Sequence, residues 1–505
     1  MTSLPMRFRF ARWSVTAAGA RAAHRVSRSN LRAFELGARR AGAAAGRLSA
    51  PAAATAARKA LRSVPAYREL VGRSAPVRPA RTAEAWLAQL PVTTKRSYID
   101  GWPLAARCAG GRIPAAGCEL DESAGSSGAP YTWIRSQPEL ADVHRSLALL
   151  ARHLLPREGR PVVVLNAFSM GAWATGTNVA VALRAIGTVK SCGPDIEKVL
   201  GTMALLGTGP LYIVCGYPPF LRALLDAADL SSFTLYGFVG GEGMTEAARA
   251  RLTRTFVAVW SAYGASDLDI GVASETPVSV WLRQQAAANP ELALALFGRR
   301  DRLPMVFQYD PCDYHVETVR GAGGANELVI TVTRPMLSPR IRYNVGDEGG
   351  TVGFAAAMAA CRALGLDPAQ GEPRPFQLPF LFVHGRSDQT LSFMGANLYP
   401  EDVAAGIGDH PRADLLGTFC MELAEVDDDV RPVIHVEAPD GIDPDELAAA
   451  IRRRLAAASA DYRAALLESP AAGDLRVRLW EPGTGPFAAN AGRIKHRHVV
   501  PAAAR

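Results

Sequence analysis

The sequence predicts an α/β protein that consists of a large N-terminal domain with mixed sheets and a small C-terminal α+β domain. The chain has 505 residues, which is too long for one compact core. Strand-like and helix-like segments alternate between residues 161 and 265, and this order indicates βαβ units around a largely parallel sheet. After about residue 385 the order becomes helix, strand, strand, helix, strand, which is typical of a separate small domain.

The first 55 residues form a basic extension rich in Ala and Arg. Residues 1–50 contain ten Arg and one acid and therefore have a net charge of +9. The whole chain has a net charge of +8, so the charges of the other 455 residues sum to −1. A nearly neutral body does not suggest nucleic-acid binding. The arm is predicted to form helices that pack on the body, while peripheral contact with a membrane surface through its basic face stays open. It lacks the long apolar core and cleavage site of a secretory signal.

Helices are also predicted between the arm and the alternating region. Residues 56–71 have an amphipathic pattern, and residues 137–155 have the pattern of a longer helix. Between them, Thr93 or Thr94 is a suitable N-cap for a helix that begins near Lys95.

The alternating region begins with the longest uncharged run of the chain, residues 161–183, whose length could suggest a membrane span. However, the run contains polar residues such as Asn166 and Asn178, its first part is β-branched and its second part has a helical pattern. A buried strand, a loop and a buried helix fit this run better. Further strands are predicted at TVKSCG, GPLYIVCG, TLYGFVGGEG and VAVWSAYGAS. The later runs ANELVITVTRP and PRIRYNVGDEGGTVGF are expected to form antiparallel strands of a second sheet or small barrel.

Seven cysteines are scattered along the chain without a Cys-x-x-Cys pair. This usage predicts reduced thiols and a cytoplasmic protein. Cys312 and His315 are the nearest approach to a metal-binding pair, but a zinc site needs four ligands, so a packed loop is the simpler interpretation.

Glycine-containing loops beside the predicted strands indicate a binding site. Glycine lets backbone N–H groups approach a ligand closely, and neighbouring Ser or Asp residues add polar groups. Ligands of α/β sheets bind at the carboxyl ends of the strands, so such loops together are suited to phosphates, a base, a ribose and a metal. The five loops are SAGSSGAP (123–130), VGGEGM (239–244), YGASD (263–267), YNVGDEGG (343–350) and HGRSDQ (384–389).

The order and spacing of these loops resemble those of the adenylate-forming superfamily of acyl-CoA synthetases and ligases. The segments VPAYR (Val64–Arg68) and LPVTTK (Leu90–Lys95) resemble the narrower phenylacetate–CoA ligase family, which also contains coenzyme F390 synthetases. The resemblance covers residues 56–505. The domains that it implies are a basic extension (1–55), an adenylate-forming domain that binds ATP and the acyl group (56–385) and a C-terminal lid domain (386–505).

The resemblance implies roles for single residues of these loops. Asp347 would bind the ribose hydroxyls, because a carboxylate accepts two hydrogen bonds. Asp267 would bind Mg²⁺ and phosphate, although the superfamily usually has Glu at this position, and Ser266 would lie near the α-phosphate. Asp388 would be the hinge of the lid. The implied nucleotide-binding residues are Ser123, Gly125, Ser126, Ser127, Gly128, Gly240, Gly241, Glu242, Tyr263, Gly264, Asp347 and Arg386.

Two features depart from the pattern of the superfamily. It usually has a Gly-Lys pair near the C-terminus, whose lysine meets the carboxylate and the α-phosphate. Here Arg493 follows Gly492 and Lys495 comes two residues later, so either cation could serve. Asp269 falls where the acyl pocket is usually apolar, and it would either pair with a basic group of the substrate or face outward. The residues that would line an aromatic pocket, or equally belong to the core, are Phe168, Met170 and Trp173.

The function that the resemblance implies is ATP-dependent activation of a small carboxylic acid as an acyl-adenylate, followed by transfer of the acyl group to coenzyme A. The acid is expected to be aryl or arylacetic, and ATP, Mg²⁺ and coenzyme A would be the cofactors. Two alternatives stay open. One is AMP transfer to a cofactor or other acceptor without coenzyme A, as in F390 synthetases, and the other is a degenerate nucleotide-binding protein.

Overall fold

A computed structural model describes residues 6–123, 131–157, 159–300, 303–321, 324–386, 390–394, 396–426, 429–468 and 475–490. The helices in these ranges are α1 (Met6–Ser27), α2 (Leu31–Ser63), α3 (Pro65–Gly72), α4 (Ala83–Leu87), α5 (Gln137–Leu154), α6 (Ala174–Leu183), α7 (Ile196–Leu206), α8 (Pro218–Ala227), α9 (Glu246–Leu252), α10 (Pro277–Ala288), α11 (Pro290–Phe297), α12 (Phe354–Ala363), α13 (Pro400–Gly408), α14 (Pro444–Ala458) and α15 (Ala460–Glu468). The strands are β1 (Cys118–Ser123), β2 (Tyr131–Ser136), β3 (Val162–Asn166), β4 (Thr188–Ser191), β5 (Leu211–Gly216), β6 (Thr234–Gly240), β7 (Ala258–Ala265), β8 (Asp269–Ser274), β9 (Met305–Tyr309), β10 (Tyr314–Arg320), β11 (Asn326–Val332), β12 (Tyr343–Val352), β13 (Phe380–Arg386), β14 (Leu391–Phe393), β15 (Ala396–Leu398), β16 (Phe419–Val426), β17 (Asp429–Glu437) and β18 (Arg476–Trp480).

One central sheet of eleven strands has the order β10-β11-β12-β13-β9-β8-β7-β6-β5-β3-β4. The strands from β4 to β7 in this order are parallel, as the alternation of strands and helices predicts, and the remaining neighbours are antiparallel. The expectation of a second sheet or barrel for β11 and β12 is wrong. Both strands extend the central sheet, because β13 pairs with β12 on one side and with β9 on the other.

The parallel half of the sheet explains the apolar runs of the sequence. β5 is buried along its whole length, as expected for a strand covered by helices on both faces. Residues 161–183 fold as β3, a loop and the helix α6, as predicted. No helix in the described part of the chain is both long and apolar enough to cross a bilayer.

The N-terminal arm folds as a hairpin of α1 and α2 that packs on the body. α2 continues without a break through residue 55, where the sequence predicted a domain boundary. Ala53 and Ala54 of α2 are fully buried in the same core as Trp13 and Trp86, whose ring centroids are 6.5 Å apart. Small alanine side chains allow this close approach, so the hairpin shares a core with the body.

A group of paired charges attaches the hairpin to the loop between β9 and β10. We call His24, Arg28, Asp310 and Asp313 the hairpin cluster. Arg28 Nη2 lies 3.0 Å from Asp310 Oδ2 and 2.9 Å from Asp313 Oδ2, and His24 Nε2 lies 2.9 Å from Asp310 Oδ2. The histidine and the two aspartates have the spacing of metal ligands. Because Arg28 and the His24 ring already pair with both carboxylates, we interpret the cluster as an ion-pair network.

Burial and the neighbouring charges of the hairpin cluster have opposite effects on the pKa of His24. Burial alone would lower the pKa of His24, but the carboxylates of Asp313 and Asp310 outweigh it and raise the pKa. Cys312 and His315 lie in this packed region, where Cys312 donates its backbone N–H to Asp310 and the His315 ring contacts Ser49. All seven cysteines are free thiols.

The C-terminal unit has its own sheet and core. β16, β17 and β18 form a three-stranded sheet, and α13 and α14 pack on it. Leu447, Ile451 and Leu455 of α14 are fully buried, at the four-residue spacing of one helix face. The predicted order of helix, strand, strand, helix and strand is confirmed, with the extra helix α15 before β18.

Candidate active site

A cleft of about 1740 Å³ lies at the carboxyl ends of the parallel strands, where α/β sheets bind their ligands. Loops after β3, β5, β6 and β7 line one side, and residues of the C-terminal unit such as Met394 and Arg478 line the other. The structure brings together the predicted residues Ser123, Gly240, Gly241, Glu242, Tyr263, Gly264, Ser266, Asp267, Asp347 and Arg386. The predicted residues that lie outside the described part of the chain are Gly125, Ser126, Ser127, Gly128, Asp388, Arg493 and Lys495.

Asp347 and Arg386 face each other across the β12–β13 pair, and Arg386 Nη1 lies 3.6 Å from Asp347 Oδ1. Tyr263 donates its hydroxyl to Asp347 Oδ2 at 2.5 Å. Burial, followed by the charge of Asp347, raises the pKa of Tyr263, so the phenol stays a neutral donor. Gly346 has a φ of +80°, and a Cβ there would lie 3.0 Å from Arg386 Nη2. Glycine is therefore needed for the arginine to lie against this turn.

Asp267 is the second carboxylate of the cleft and is only 5% exposed. Tyr343 donates its hydroxyl to Asp267 Oδ2 at 2.9 Å, and Lys95 Nζ lies 3.5 Å from the same oxygen. Burial alone would raise the pKa of Asp267, but the charges of Lys95 and Arg386 and the bond from Tyr343 outweigh it and lower the pKa. Asp267 is therefore ionised at neutral pH. We call Asp267 and Asp347 the cleft carboxylates.

Lys95 is a cleft residue to which the sequence assigned no role. Thr94 caps the short helix Lys95–Ile99, as predicted. Thr93 instead pairs with the start of β12, where its N–H donates to Arg342 O at 2.9 Å and its carbonyl accepts from Asn344 N at 2.8 Å. This pairing brings Lys95 beside Asp267, because Tyr343, which donates to Asp267, lies between Arg342 and Asn344, the two residues that Thr93 contacts. The sequence singles out the segment LPVTTK, which contains Lys95, but it does not show that this segment pairs beside β12.

The loop after β6 is shaped by glycine and connects the two units. Gly241 has a φ of +83°, and a Cβ there would lie 2.7 Å from Tyr217 Cε1. The ring of Tyr217 therefore packs directly on the backbone of Gly241. A residue with a side chain would prevent this contact. Glu242 Oε2 accepts a hydrogen bond from Met394 N at 2.9 Å, which ties this loop to the C-terminal unit.

The loop after β7 is held in place by backbone contacts. Arg135 donates to the Ser266 carbonyl at 2.5 Å, and a Cβ on Gly264 would lie 2.9 Å from a carbonyl of β8. Gly264 is thus required for β7 and β8 to pair. Nearby, Ser123 Oγ accepts a hydrogen bond from Trp133 Nε1 at 2.8 Å. These contacts hold in place the loops that carry the polar groups of the cleft.

One end of the cleft has aromatic walls. Phe168 and Trp173 line it, as the sequence allowed, and Phe168 packs edge-on against Tyr217 with ring centroids 5.4 Å apart. Trp260 adds another ring. Met170 does not belong to the lining: its sulfur lies 3.7 Å from Asn166 Nδ2, beneath the loop.

Asp269 does not reach the cleft, so neither interpretation offered by the sequence describes it. It is 1% exposed, and its carboxylate accepts a hydrogen bond from Tyr314 at 2.7 Å and is paired with Arg334. The neighbouring residue, Ile270, lines the cleft instead. Because side chains alternate along a strand, the position next to the pocket faces away from it.

The cleft carboxylates fit a magnesium ion shared with phosphates. Mg²⁺ in nucleotide sites is held by one or two carboxylates together with phosphate oxygens. Tyr343 and Lys95 both contact Asp267 Oδ2, so among the residues that the structure describes Oδ1 stays accessible to a cation. Asp267 is the residue that would hold the ion, which would neutralise phosphate charge.

No family model matches the sequence, and no curated protein matches it. Solved structures do. 2-Hydroxyisobutyryl-CoA ligase, in complex with 2-HIB-AMP and CoA in its thioesterification state, matches with a TM-score of 0.60 and 14% identity, over 90% of this chain and 88% of that chain. This chain has the adenylate-forming ligase fold.

Two other states of the same ligase match less closely. The postadenylation state with R3-HIB-AMP gives a TM-score of 0.52 at 14% identity, over 90% of this chain and 88% of that chain. The open conformation with 2-HIB-AMP and CoA gives 0.51 at 13% identity, over 90% of both chains. The ligase fold of this chain is therefore most similar, among these three, to the thioesterification state.

Proposed function

We propose that this protein uses ATP to activate a carboxylic acid and then transfers the acyl group to coenzyme A. The observation that carries the proposal is the pair of cleft carboxylates, which lie among cations at the carboxyl ends of the parallel strands. The structural neighbour binds an acyl-adenylate and CoA, and we extend both ligand classes to this cleft. The seven free thiols support a cytoplasmic, reducing compartment.

In the first step, an oxygen of the substrate carboxylate attacks the α-phosphorus of ATP, and the bond to pyrophosphate breaks. Asp347 would accept hydrogen bonds from the ribose hydroxyls and hold the nucleotide in place. Lys95 would bring positive charge to the phosphates beside Asp267, which would hold Mg²⁺. Either Arg493 or Lys495 would supply the second cation, at the carboxylate.

In the second step, the thiol of coenzyme A loses its proton and attacks the acyl carbonyl, and AMP leaves. The C-terminal unit would turn about Asp388 between the steps, as lids that exclude water do. We propose an aryl or arylacetic acid because Phe168, Trp173 and Tyr217 form the apolar end of the cleft. This choice agrees with the resemblance to phenylacetate–CoA ligases.

Pyrophosphate release with ATP and Mg²⁺ tests the proposal. Aryl, arylacetic, fatty and amino acids should be compared, each with and without coenzyme A. We expect release with one acid class and acceleration by coenzyme A. Release that ignores coenzyme A, with AMP attached to a phenol or another acceptor, would favour AMP transfer. A folded protein that neither binds ATP nor releases pyrophosphate would contradict both.

Asp347→Asn is the matched variant for this assay. It keeps the shape of the side chain but removes the charge, so the KM for ATP should rise by about 10- to 100-fold. Asp409→Asn, at an exposed position of the C-terminal unit, is the control and should behave like the unaltered protein. Equal behaviour of the two variants would remove Asp347 from the nucleotide site.

A further inference from the structure

A second cavity, of about 340 Å³, lies between the N-terminal hairpin and the central sheet. We call it the hairpin cavity. Side chains of α1 and α2 line one side, and side chains of α5 and β8 line the other. Much of its wall is apolar, with Phe34, Val143, Val272, Phe376 and Leu378. The two steps proposed above, adenylation and thioester formation, need none of this space.

The hairpin cavity and the main cleft share part of their walls. Leu147, Leu150 and Ser274 line both spaces, so single side chains separate them. Leu147 and Leu150, which lie on the face of α5 that borders both spaces, are only half-buried. Their residual exposure is explained by the empty space on either side of the helix.

The helix α5 runs along both spaces. Its C-terminal part presents Ala151 and Leu154 to the cleft, and its earlier residues Val143 and Ser146 line the hairpin cavity. Leu147 lies between these parts and packs against β8, where its Cδ2 is 3.0 Å from the position of a Cβ on Gly271. A Cβ at this position would press on the end of the leucine side chain, so glycine lets Leu147 lie close against the strand.

Charged residues at one end of the hairpin cavity are neutralised by each other. Arg28 and His24 are paired with the aspartates of the hairpin cluster. Arg334 is paired with Asp269, and Tyr314 bonds the same carboxylate. These pairs leave no uncompensated charge among themselves, so an uncharged chain can lie against them without stripping water from a free ion. Arg40 and Asp142, which also line the cavity, are exposed and lie outside these pairs.

We propose that the hairpin cavity receives the far end of extended, mainly apolar carboxylic acids whose carboxylate lies in the main cleft. Leu147 is the side chain past which the chain extends. The cavity has room for about ten groups the size of a water molecule, which corresponds to a medium or long alkyl chain. This inference rests on the proposed acid activation and revises the substrate class proposed there: the acid that fills both spaces is longer than the aryl or arylacetic acids that fill the aromatic end of the cleft alone.

Filling the hairpin cavity tests the inference. Ser146→Trp places a large side chain in the cavity beside Leu147, and Ala141→Trp, on an exposed position of α5 that lines neither space, is the matched control. The probes are straight-chain acids from butanoate to hexadecanoate. With ATP and Mg²⁺, Ser146→Trp should lower kcat/KM for dodecanoate at least tenfold and leave butanoate within twofold. Each lost methylene contact costs about fourfold in affinity.

A second variant is expected to have the opposite effect on activity, which misfolding could not produce. Leu147→Ala widens the passage and should raise kcat/KM for dodecanoate relative to butanoate at least threefold. Thermal unfolding of every variant shows whether it is folded. Equal effects of Ser146→Trp and Ala141→Trp on dodecanoate, together with no gain from Leu147→Ala, would overturn the inference.

Calorimetric titration with dodecanoate separates this inference from the proposed function. The unaltered protein should bind dodecanoate without ATP, and Ser146→Trp should bind it at least tenfold more weakly. If no acid gives pyrophosphate but this difference is observed, the proposed function fails and the tail site stands. If the unaltered protein does not bind dodecanoate, the inference fails whatever the acid assay shows.

Discussion

Two groups of buried carboxylates in this molecule are surrounded by cations, yet they differ in how tightly they are paired. In the hairpin cluster, Arg28 lies 2.9 and 3.0 Å from the two aspartates. In the cleft, Lys95 Nζ lies 3.5 Å from Asp267 and Arg386 Nη1 lies 3.6 Å from Asp347. The first group is satisfied by protein alone. The second lines an open cleft that a ligand can enter, so burial and charge by themselves do not mark an active site.

The largest effect should come from the cleft. Asp267→Asn keeps the acceptor for Tyr343 but removes the charge that lies beside Lys95. We expect the rate of pyrophosphate release to fall by about 10²- to 10³-fold, the usual cost of losing one charge-stabilising group. The free energy of unfolding should fall less than in the hairpin cluster, since the side-chain shape is retained, although the lowered pKa of Asp267 means that its charge adds some stability.

Pyrophosphate release and chemical unfolding should be measured on the same preparation of Asp267→Asn. Asp195→Asn, at the exposed N-cap of α7, is a control for removing a carboxylate far from the cleft. If Asp267→Asn lost stability but kept its rate, the two carboxylate groups would not differ in the way the distances indicate.

The reverse result is expected in the hairpin cluster. Asp310→Asn leaves Arg28 and His24 with one charged partner, Asp313. We expect a loss of about 2 kcal/mol in the free energy of unfolding, in the range for a hydrogen bond to a charged group. Pyrophosphate release with a short acid should stay within about twofold. A loss of activity without a loss of stability would show that the cluster does more than attach the hairpin.

The sequence was most informative where structure follows local pattern. Alternating strands and helices predicted the parallel half of the sheet, and glycine loops predicted which residues of the described chain meet in the cleft. The sequence could not show that β11 and β12 extend this sheet. That arrangement depends on β13, which comes later in the chain and pairs between two earlier strands.

Single side chains of the site were harder to predict because their partners are distant in the chain. Lys95 meets Asp267 only after Thr93 pairs with β12. Asp269 looked like a pocket residue, but its partner Arg334 comes from a loop 65 residues later. Successive side chains of a strand point to opposite faces, so a shift of one residue decides whether a side chain faces the pocket or the core.

A smaller effect should come from Lys95, which the structure adds to the cleft. Lys95→Met keeps most of the chain length but removes the charge next to Asp267. We expect kcat/KM for ATP to fall about tenfold, since the lysine is partly exposed and its charge is partly screened. Lys198→Met, at a more exposed ion pair on α7, should change nothing measurable. Identical kinetics of the two variants would remove Lys95 from the phosphate site.

The smallest effect concerns His24 and depends on pH. Its pKa is raised in the folded protein, so the charged ring stabilises the hairpin fully below its unfolded pKa of about 6.5. This contribution is lost as the pH rises through the folded pKa. His24→Gln should therefore cost about 1 kcal/mol at pH 5.5 and progressively less toward pH 9. Denaturant unfolding of both proteins across this range measures the difference. If the loss of unfolding free energy caused by His24→Gln grew with pH, the neutral ring would make the stabilising contact. His24 would then contribute a hydrogen bond to the hairpin cluster and not a charge.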